Sequence, residues 1–232
     1  MSHAAIPHPI PRFGRARREQ ARKDGRCRRF FSGVLYLCAL LFVRPAEAGA
    51  IDKLYRFLDT TTTLSADFAQ IVVAKNGRRP QRSAGTMLIW RPGKFRWQID
   101  EPYSQLLVGD GERVWMYDPD LRQATVSRMD AALGSTPAAL LVGTDTLEKN
   151  FELRELEARE GLEWVEAQPR SPDGGFEKLH LGFDGEELKA MELYDNFGQT
   201  TSLLFSNPRR NQPLPDALFR FAPPAGVDVI GQ

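Results

Sequence analysis

The chain has 232 residues, 42% of them hydrophobic and 26% charged, and its 31 Lys and Arg nearly balance 30 Asp and Glu. That length suits one large domain or two small ones. The balance is uneven along the chain: the first 48 residues hold ten Lys or Arg and three Asp or Glu, which leaves 21 basic and 27 acidic residues beyond them, a net charge of about −6 that speaks against nucleic acid and against an anionic membrane surface as partners.

Residues 1–48 read as an export signal that is removed. A basic stretch ending at Arg29 runs into apolar residues 30–43, and Ala46-Glu47-Ala48 places small residues at the two positions a signal peptidase reads. The apolar run is shorter than the roughly 20 residues a membrane span needs. Arg28-Arg29-Phe30-Phe31 resembles a twin-arginine signal, although an ordinary basic n-region accounts for the pair equally. Cys27 and Cys38 both fall in this segment, so residues 49–232 carry no disulfide, no thiolate nucleophile and no cysteine metal site. Tyr36-Leu37 ahead of Cys38 lack the small side chains of a lipidation site. An unlipidated periplasmic protein, residues 49–232, is expected as a single domain.

Within it, Ile51, Leu54, Tyr55 and Leu58 recur at helical spacing and predict one amphipathic helix, ended by the β-branched run at residues 60–63. The period then changes to two. Phe68, Ile71 and Val73 begin strand-like material, and Asn76-Gly77 is a hairpin signal. Residues 87–90 are apolar on both faces, while Phe95, Trp97 and Ile99 alternate with Lys94, Arg96 and Gln98. Asp110-Gly111 separates strands at 105–108 and 114–117, and Asp118-Pro119-Asp120 turns the chain into a strand at 123–127.

The strand pattern stops at Asp130. Thr136-Pro137 opens a short helix, Thr as N-cap and Pro at the first helical position, that runs through Leu140 to Val142 and ends at Gly143. A second short helix starts at Asp145 and includes Leu147. Strands resume at 151–156, 164–167, 178–183, 188–194 and 200–205, punctuated by Gly161, Asp173-Gly174 and Asp184-Gly185. The expected fold is mainly β with short helices: an antiparallel sheet that curls or partly closes, its few helices laid over the mouth or concave face.

Catalytic signatures are missing. Residues 49–232 hold one histidine, His180, expected as a strand surface residue. There is no G-x-S-x-G elbow, no H-E-x-x-H, no dense carboxylate cluster and no phosphate-cradling Gly-rich loop ahead of a helix. Neither an enzyme nor a cofactor is expected.

The informative stretch is residues 85–105. Trp90, Phe95, Trp97 and Tyr103 concentrate large apolar area there, and Arg91 ends an apolar strand where Pro92 cannot donate to a ladder. The residues alone leave two readings of Arg91. It is a surface arginine at a turn, or a partly buried one whose planar fork fastens the carbonyl ends of nearby helices.

The run Arg91-Pro92-Gly93-Lys94-Phe95-Arg96-Trp97 resembles the signature of the outer-membrane lipoprotein carrier protein family, LolA. The resemblance continues in Ser65-Ala66-Asp67-Phe68-Ala69-Gln70, in Asp110-Gly111 with Val114-Trp115, in Asn196-Phe197-Gly198-Gln199-Thr200 and in Phe219-Arg220-Phe221-Ala222-Pro223-Pro224. It covers nearly all of residues 50–229. It implies an incomplete antiparallel β-barrel with a helical lid over an apolar cavity that takes the acyl chains of triacylated lipoproteins. Cargo would come from the inner-membrane lipoprotein-releasing ABC transporter and pass to the outer-membrane receptor LolB, itself a lipoprotein of similar fold. By position, Arg91 corresponds to the arginine that holds the lid closed, Phe95 to an aromatic tied to accepting cargo, and Leu58 to a helix residue at the lid contact. Trp97, Trp90, Ile89, Met87 and Leu140 are further candidates for cavity or lid. A monomer is expected. Two rivals share the fold: the membrane-anchored receptor, which needs a lipidated cysteine where Gly49 stands, and a periplasmic sensor or regulatory binding module.

Overall fold

A computed structural model describes residues 49–231 except 76–78, 130–140, 144–146 and 172–174. The expected export signal, the Asn76-Gly77 and Asp173-Gly174 turns, the helix opening at Thr136-Pro137 with Leu140, and the Asp145 helix start lie outside the described residues.

Helix α1 (Ala50–Thr60) leads into β1 (Thr63–Val73), β2 (Gln81–Trp90), β3 (Lys94–Glu101), β4 (Gln105–Asp110), β5 (Arg113–Asp118) and β6 (Gln123–Arg128). A short helix α2 (Leu147–Asn150) precedes β7 (Phe151–Arg159), β8 (Leu162–Pro169), β9 (Phe176–Asp184), β10 (Glu187–Asp195) and β11 (Thr200–Arg210). A 3-10 turn (Asp216–Phe219) and β12 (Asp228–Gly231) finish the chain.

The strands form one sheet in the order β12-β6-β5-β4-β3-β2-β1-β11-β10-β9-β8-β7. Two meanders, β1 to β6 and β7 to β11, meet where β1 pairs with β11, with Phe68 opposite both Phe205 and Gly85. β7 and β12 remain as edges, so the barrel is incomplete.

Alternation then sorts the side chains. Leu64, Ala66 and Phe68 of β1, Met87 and Ile89 of β2, Phe95 and Trp97 of β3, and Val165, Leu179, Leu181 and Leu203 from the other meander fall into one buried cluster with Leu54, Phe57 and Leu58 of α1. Strands β3 and β8 stand at opposite ends of a seven-strand run. Residues from both share one core with a single helix only because the sheet curls around α1. A bulge between Leu188 and Ala190 keeps that face continuous, turning both Leu188 and Met191 inward.

The C-terminal segment departs from sequence expectation in two ways. Its 3-10 turn packs on the outer face of β3 and β4, with Phe219 edge-on to Trp90 at 5.8 Å and Phe221 against Trp115 and Tyr117 at 5.5 and 5.2 Å. β12 then pairs with β6 in parallel, so the sheet is not wholly antiparallel. Four residues with no alternation carry no strand signal in sequence.

His180 is a second correction. It is 7% exposed rather than a surface residue. Its Nε2 lies 2.9 Å from Glu166 on β8 and its Nδ1 3.3 Å from Glu192 on β10. Register places both carboxylates opposite it on the convex face, where Arg154, Lys178 and Arg159 add cations.

Candidate functional site: the fastening of the helix over the concave face

The site begins with the end of α1. A helix leaves its last carbonyls without intrahelical partners. Here the Phe57 carbonyl accepts from the Thr61 amide at 3.1 Å and the Thr60 carbonyl from Asn211 Nδ2 at 2.8 Å. The Leu58 carbonyl accepts from Arg91 Nη1.

Arg91 reaches it from the β2–β3 turn. Its amide donates to the Thr62 carbonyl at 2.8 Å, and its second terminal nitrogen lies 3.4 Å from the Gly143 carbonyl. Gly93, two residues on, donates its amide to the Val142 carbonyl at 3.0 Å and holds φ at +81°, a conformation that suits glycine. One turn therefore holds α1 through Leu58 and the helical residues 141–142 through Val142 and Gly143. Burial lowers the Arg91 pKa from its ordinary value, opposed by the negative charge of Asp59. Of the two readings of Arg91, the geometry is that of the partly buried fork.

Beneath this fastening α1 lies on the concave face. Leu54, Phe57 and Leu58 bury their side chains in it, and Phe57 meets Phe183 edge-on at 5.9 Å. The fully buried residues of α1 are Ala50, Lys53, Leu54, Phe57 and Leu58, with Ile51 partly buried against the same core. Lys53 hid that set in sequence, and it is accommodated by an ion pair to Glu163. A void of about 10 Å³ remains between Phe57, Leu64, Ala66, Met87, Leu188 and Phe205, at the lower limit for a single water.

The candidates from residues 85–105 divide between the faces. Met87, Ile89, Phe95 and Trp97 are buried on the concave side, with the Trp97 ring 4.5 Å from that of Phe68. Trp90 is not among them. Strand alternation turns it to the convex face, under Phe219 and 4.9 Å from Lys94 Nζ, which itself pairs with Asp216. The partners that sequence did not single out, Gly143 and Thr62, act through backbone carbonyls, which leave no trace in side-chain identity. Among the described residues no cluster of His, Cys, Asp or Glu could hold a metal ion, and no helix is long and apolar enough to cross a membrane.

Comparison with known proteins places this architecture. The sequence model of the outer membrane lipoprotein carrier protein LolA matches residues 59–222. The chain belongs to the LolA family. An outer-membrane lipoprotein carrier protein of Dechloromonas aromatica is 54% identical over 195 residues, 84% of this chain and 94% of that one. One from Nitrosospira multiformis is 50% identical over 199 residues, 85% of this chain and 96% of that one. Among solved structures, a LolA superfamily protein from Nitrosomonas europaea aligns with a TM-score of 0.46 at 13% identity, covering 75% of this chain and 98% of that one. The LolA match spans Arg91 and the whole run 85–105, together with both meanders that build the concave face.

Proposed function

We propose that this protein is a periplasmic, non-enzymatic carrier that takes up the acyl chains of triacylated lipoproteins against the concave face under α1 and delivers them to the outer membrane. The observation that carries this reading is the Arg91 fastening: one guanidinium joins the carbonyl of Leu58 to that of Gly143 over a continuous apolar face. In this reading α1 and residues 141–143 are the lid, Arg91 is its latch, and Leu58 is the point it grips. Met87, Ile89, Phe95 and Trp97 are the wall that acyl chains meet once the lid lifts, with Phe95 serving the acceptance of cargo. The partners are the inner-membrane lipoprotein-releasing ABC transporter and the outer-membrane receptor LolB.

The physics of release favours such a latch. A triacylated lipoprotein carries on the order of 45 methylenes, and at about 0.8 kcal/mol each their full burial is worth tens of kcal/mol. Non-covalent affinity saturates near roughly 20 kcal/mol, and a carrier that matched every methylene would not let go. A lid held by a few polar bonds sets the balance between holding and releasing. Closed and empty, it also hides apolar surface that would otherwise associate.

The test is release of a labelled triacylated lipoprotein from spheroplasts by purified protein starting at Gly49. A soluble one-to-one complex is expected. Lipoprotein that stays in the membrane while the protein is folded and monomeric would refute the carrier reading and leave the sensor module, which should instead bind one signalling protein with no acyl cargo.

A further inference from the structure

Two residues, Thr61 and Thr62, connect α1 to β1, and both meanders grip that joint. Asn211, just past β11, holds φ at +57° and commits three polar groups to it. Its amide donates to the Thr63 carbonyl at 2.8 Å, its Oδ1 accepts from the Thr62 amide at 2.8 Å and the Thr62 hydroxyl at 3.0 Å, and its Nδ2 donates to the Thr60 carbonyl at 2.8 Å. Arg210 donates to the hydroxyls of Thr60 and Thr61 at 2.6 and 3.0 Å and lies over the Phe57 ring at 5.4 Å. From the β2–β3 turn the Arg91 amide donates to the Thr62 carbonyl at 2.8 Å. Arg56, nearer this end of the helix, pairs with Glu186 in the β9–β10 turn at 3.0 Å.

Toward its N-terminus α1 is held by charge. The Ile51 amide donates to Glu155 of β7 over 3.4 Å, and Lys53, 9% exposed, pairs with Glu163 of β8. β7 is a free margin of the sheet and β8 its neighbour. Lys53 stands roughly 10 Å along the helix axis from Thr60. A rigid helix fixed at one end moves most at the other. A swing about the joint therefore parts Lys53 from Glu163 and opens a seam against the free margin.

We propose that Lys53 and Glu163 form a second latch, on the moving end of the lid, and that acyl chains enter through the seam between α1 and the β7–β8 margin when this pair separates. Ala50 and Leu54 are buried on the same half of the helix, yet an entering acyl chain replaces their contacts with like contacts, apolar for apolar. It offers nothing to a charge. Water does: the Glu163 side chain is already 33% exposed, and lifting the helix hydrates both groups. Desolvating two charges costs nearly as much as their attraction returns, so such a pair fixes a position while adding little net stability. That balance suits a latch that must open and close again. Acyl cargo as what enters rests on the carrier reading, whereas the end that moves rests on the contacts alone.

Residues 49–232 hold no cysteine, so a single introduced thiol reports its own exposure. Leu54→Cys and Leu58→Cys place thiols under the two halves of α1, and Ala50→Cys replaces the first if it fails to fold. With a soluble thiol reagent and no cargo, position 54 should react about tenfold faster than position 58. Glu163→Gln strands the Lys53 ammonium and should speed reaction at 54 by about tenfold more while leaving 58 near the parent rate. Lys53→Met/Glu163→Leu replaces the pair with apolar contact and should slow reaction at 54 below the parent. Uptake of a labelled triacylated lipopeptide should follow the same order, fastest in Glu163→Gln and slowest in the apolar pair. A pair that merely stabilises the fold would change both thiols alike, and that outcome overturns the proposal. So does equal reaction at 54 and 58 in the parent, and so does lipopeptide uptake at one rate in all three proteins. A parent that takes up no lipopeptide refutes the carrier reading and the entry route with it, while the thiol comparison still decides which end of the helix moves.

Discussion

The guanidinium of Arg91 and the carbonyl of Leu58 stand 33 residues apart in sequence and meet at the C-terminal end of α1. The contact is one of three that cap the last carbonyls of that helix, with donors divided among Thr61, Asn211 and Arg91. A helix capped by a distant turn comes loose when that turn lets go, and the consequences can be measured.

Replacing Arg91 with Leu leaves the carbonyls of Leu58 and Gly143 without their side-chain donor, and each unpaired buried acceptor costs about 1–3 kcal/mol. Amides in α1 and at residues 141–143 should then exchange hydrogen faster, while those in β1 and β11 stay near their wild-type rates. Arg91→Lys should fall between, since an ammonium cannot span two carbonyls as a fork does. Unchanged exchange in α1 would remove the latch from the proposed mechanism.

Two glycines report how tightly β3 is packed. A Cβ on Gly109 would lie 2.4 Å from Phe95 Cε1 and 2.8 Å from Met129 Cε, so Gly109→Ala should displace the Phe95 ring and cost about 1–3 kcal/mol. A Cβ on Gly85 would lie 1.9 Å from the Gln98 carbonyl oxygen, which is backbone and cannot swing away. Gly85→Ala should therefore be the more damaging of the pair, in urea midpoint or in failure to fold. A reversed order would contradict this account of the β2–β3 ladder.

Glu166 and Glu192 set an acid limit. Burial pushes the Glu166 carboxyl up, but hydrogen bonds from His180 and Lys178 with the charges of Lys178 and Arg154 outweigh it and hold it below its ordinary value. For Glu192, burial likewise raises, and hydrogen bonds from Arg159, Tyr194 and His180 with the Arg159 charge prevail. Groups depressed by folding contribute stability that is complete above the ordinary glutamate value of 4.5 and is lost as pH falls through their lower folded values. Chemical denaturation across that range should show a falling limb that flattens in Glu166→Gln and in Glu192→Gln. A wild-type limb retained in both variants would place the acid sensitivity elsewhere.

Tyr194 sets the opposite limit. Burial and a hydrogen bond to Glu192 push its phenol up to about 12 from an ordinary value of 10.0. The unfolded chain therefore loses that proton first, and stability declines as pH rises from about 10 toward 12. Tyr194→Phe should weaken that alkaline decline, read as urea midpoint against pH.

Much of this was legible in the residues. The switch from a period of 3.6 to a period of two after Thr60 marks the end of α1 and the start of the sheet, and Asp110-Gly111 marks a turn that the Asp110 carboxylate caps, accepting from the Glu112 and Arg113 amides. What sequence could not give was the side of the sheet. Trp90 and Ile89 are neighbours of similar apolarity, and only pairing decides that one faces Phe219 outside and the other α1 inside. His180 looked like a surface residue because its carboxylate partners sit 14 residues before and 12 after it, joined only by strand register. The C-terminal strap was hidden for the same reason: its Phe219 and Phe221 find their partners in strands that precede them by about a hundred residues or more.

A closed barrel has a circumference fixed by its strand number and shear. In this sheet β7 and β12 do not pair, so strand pairing does not fix the perimeter. The two margins can draw apart or together by a change of curvature distributed over twelve strands, and no ladder hydrogen bond need break while they do. In the carrier reading, interior volume is then an adjustable quantity, able to accommodate guests of unequal length and number without a separate pocket for each.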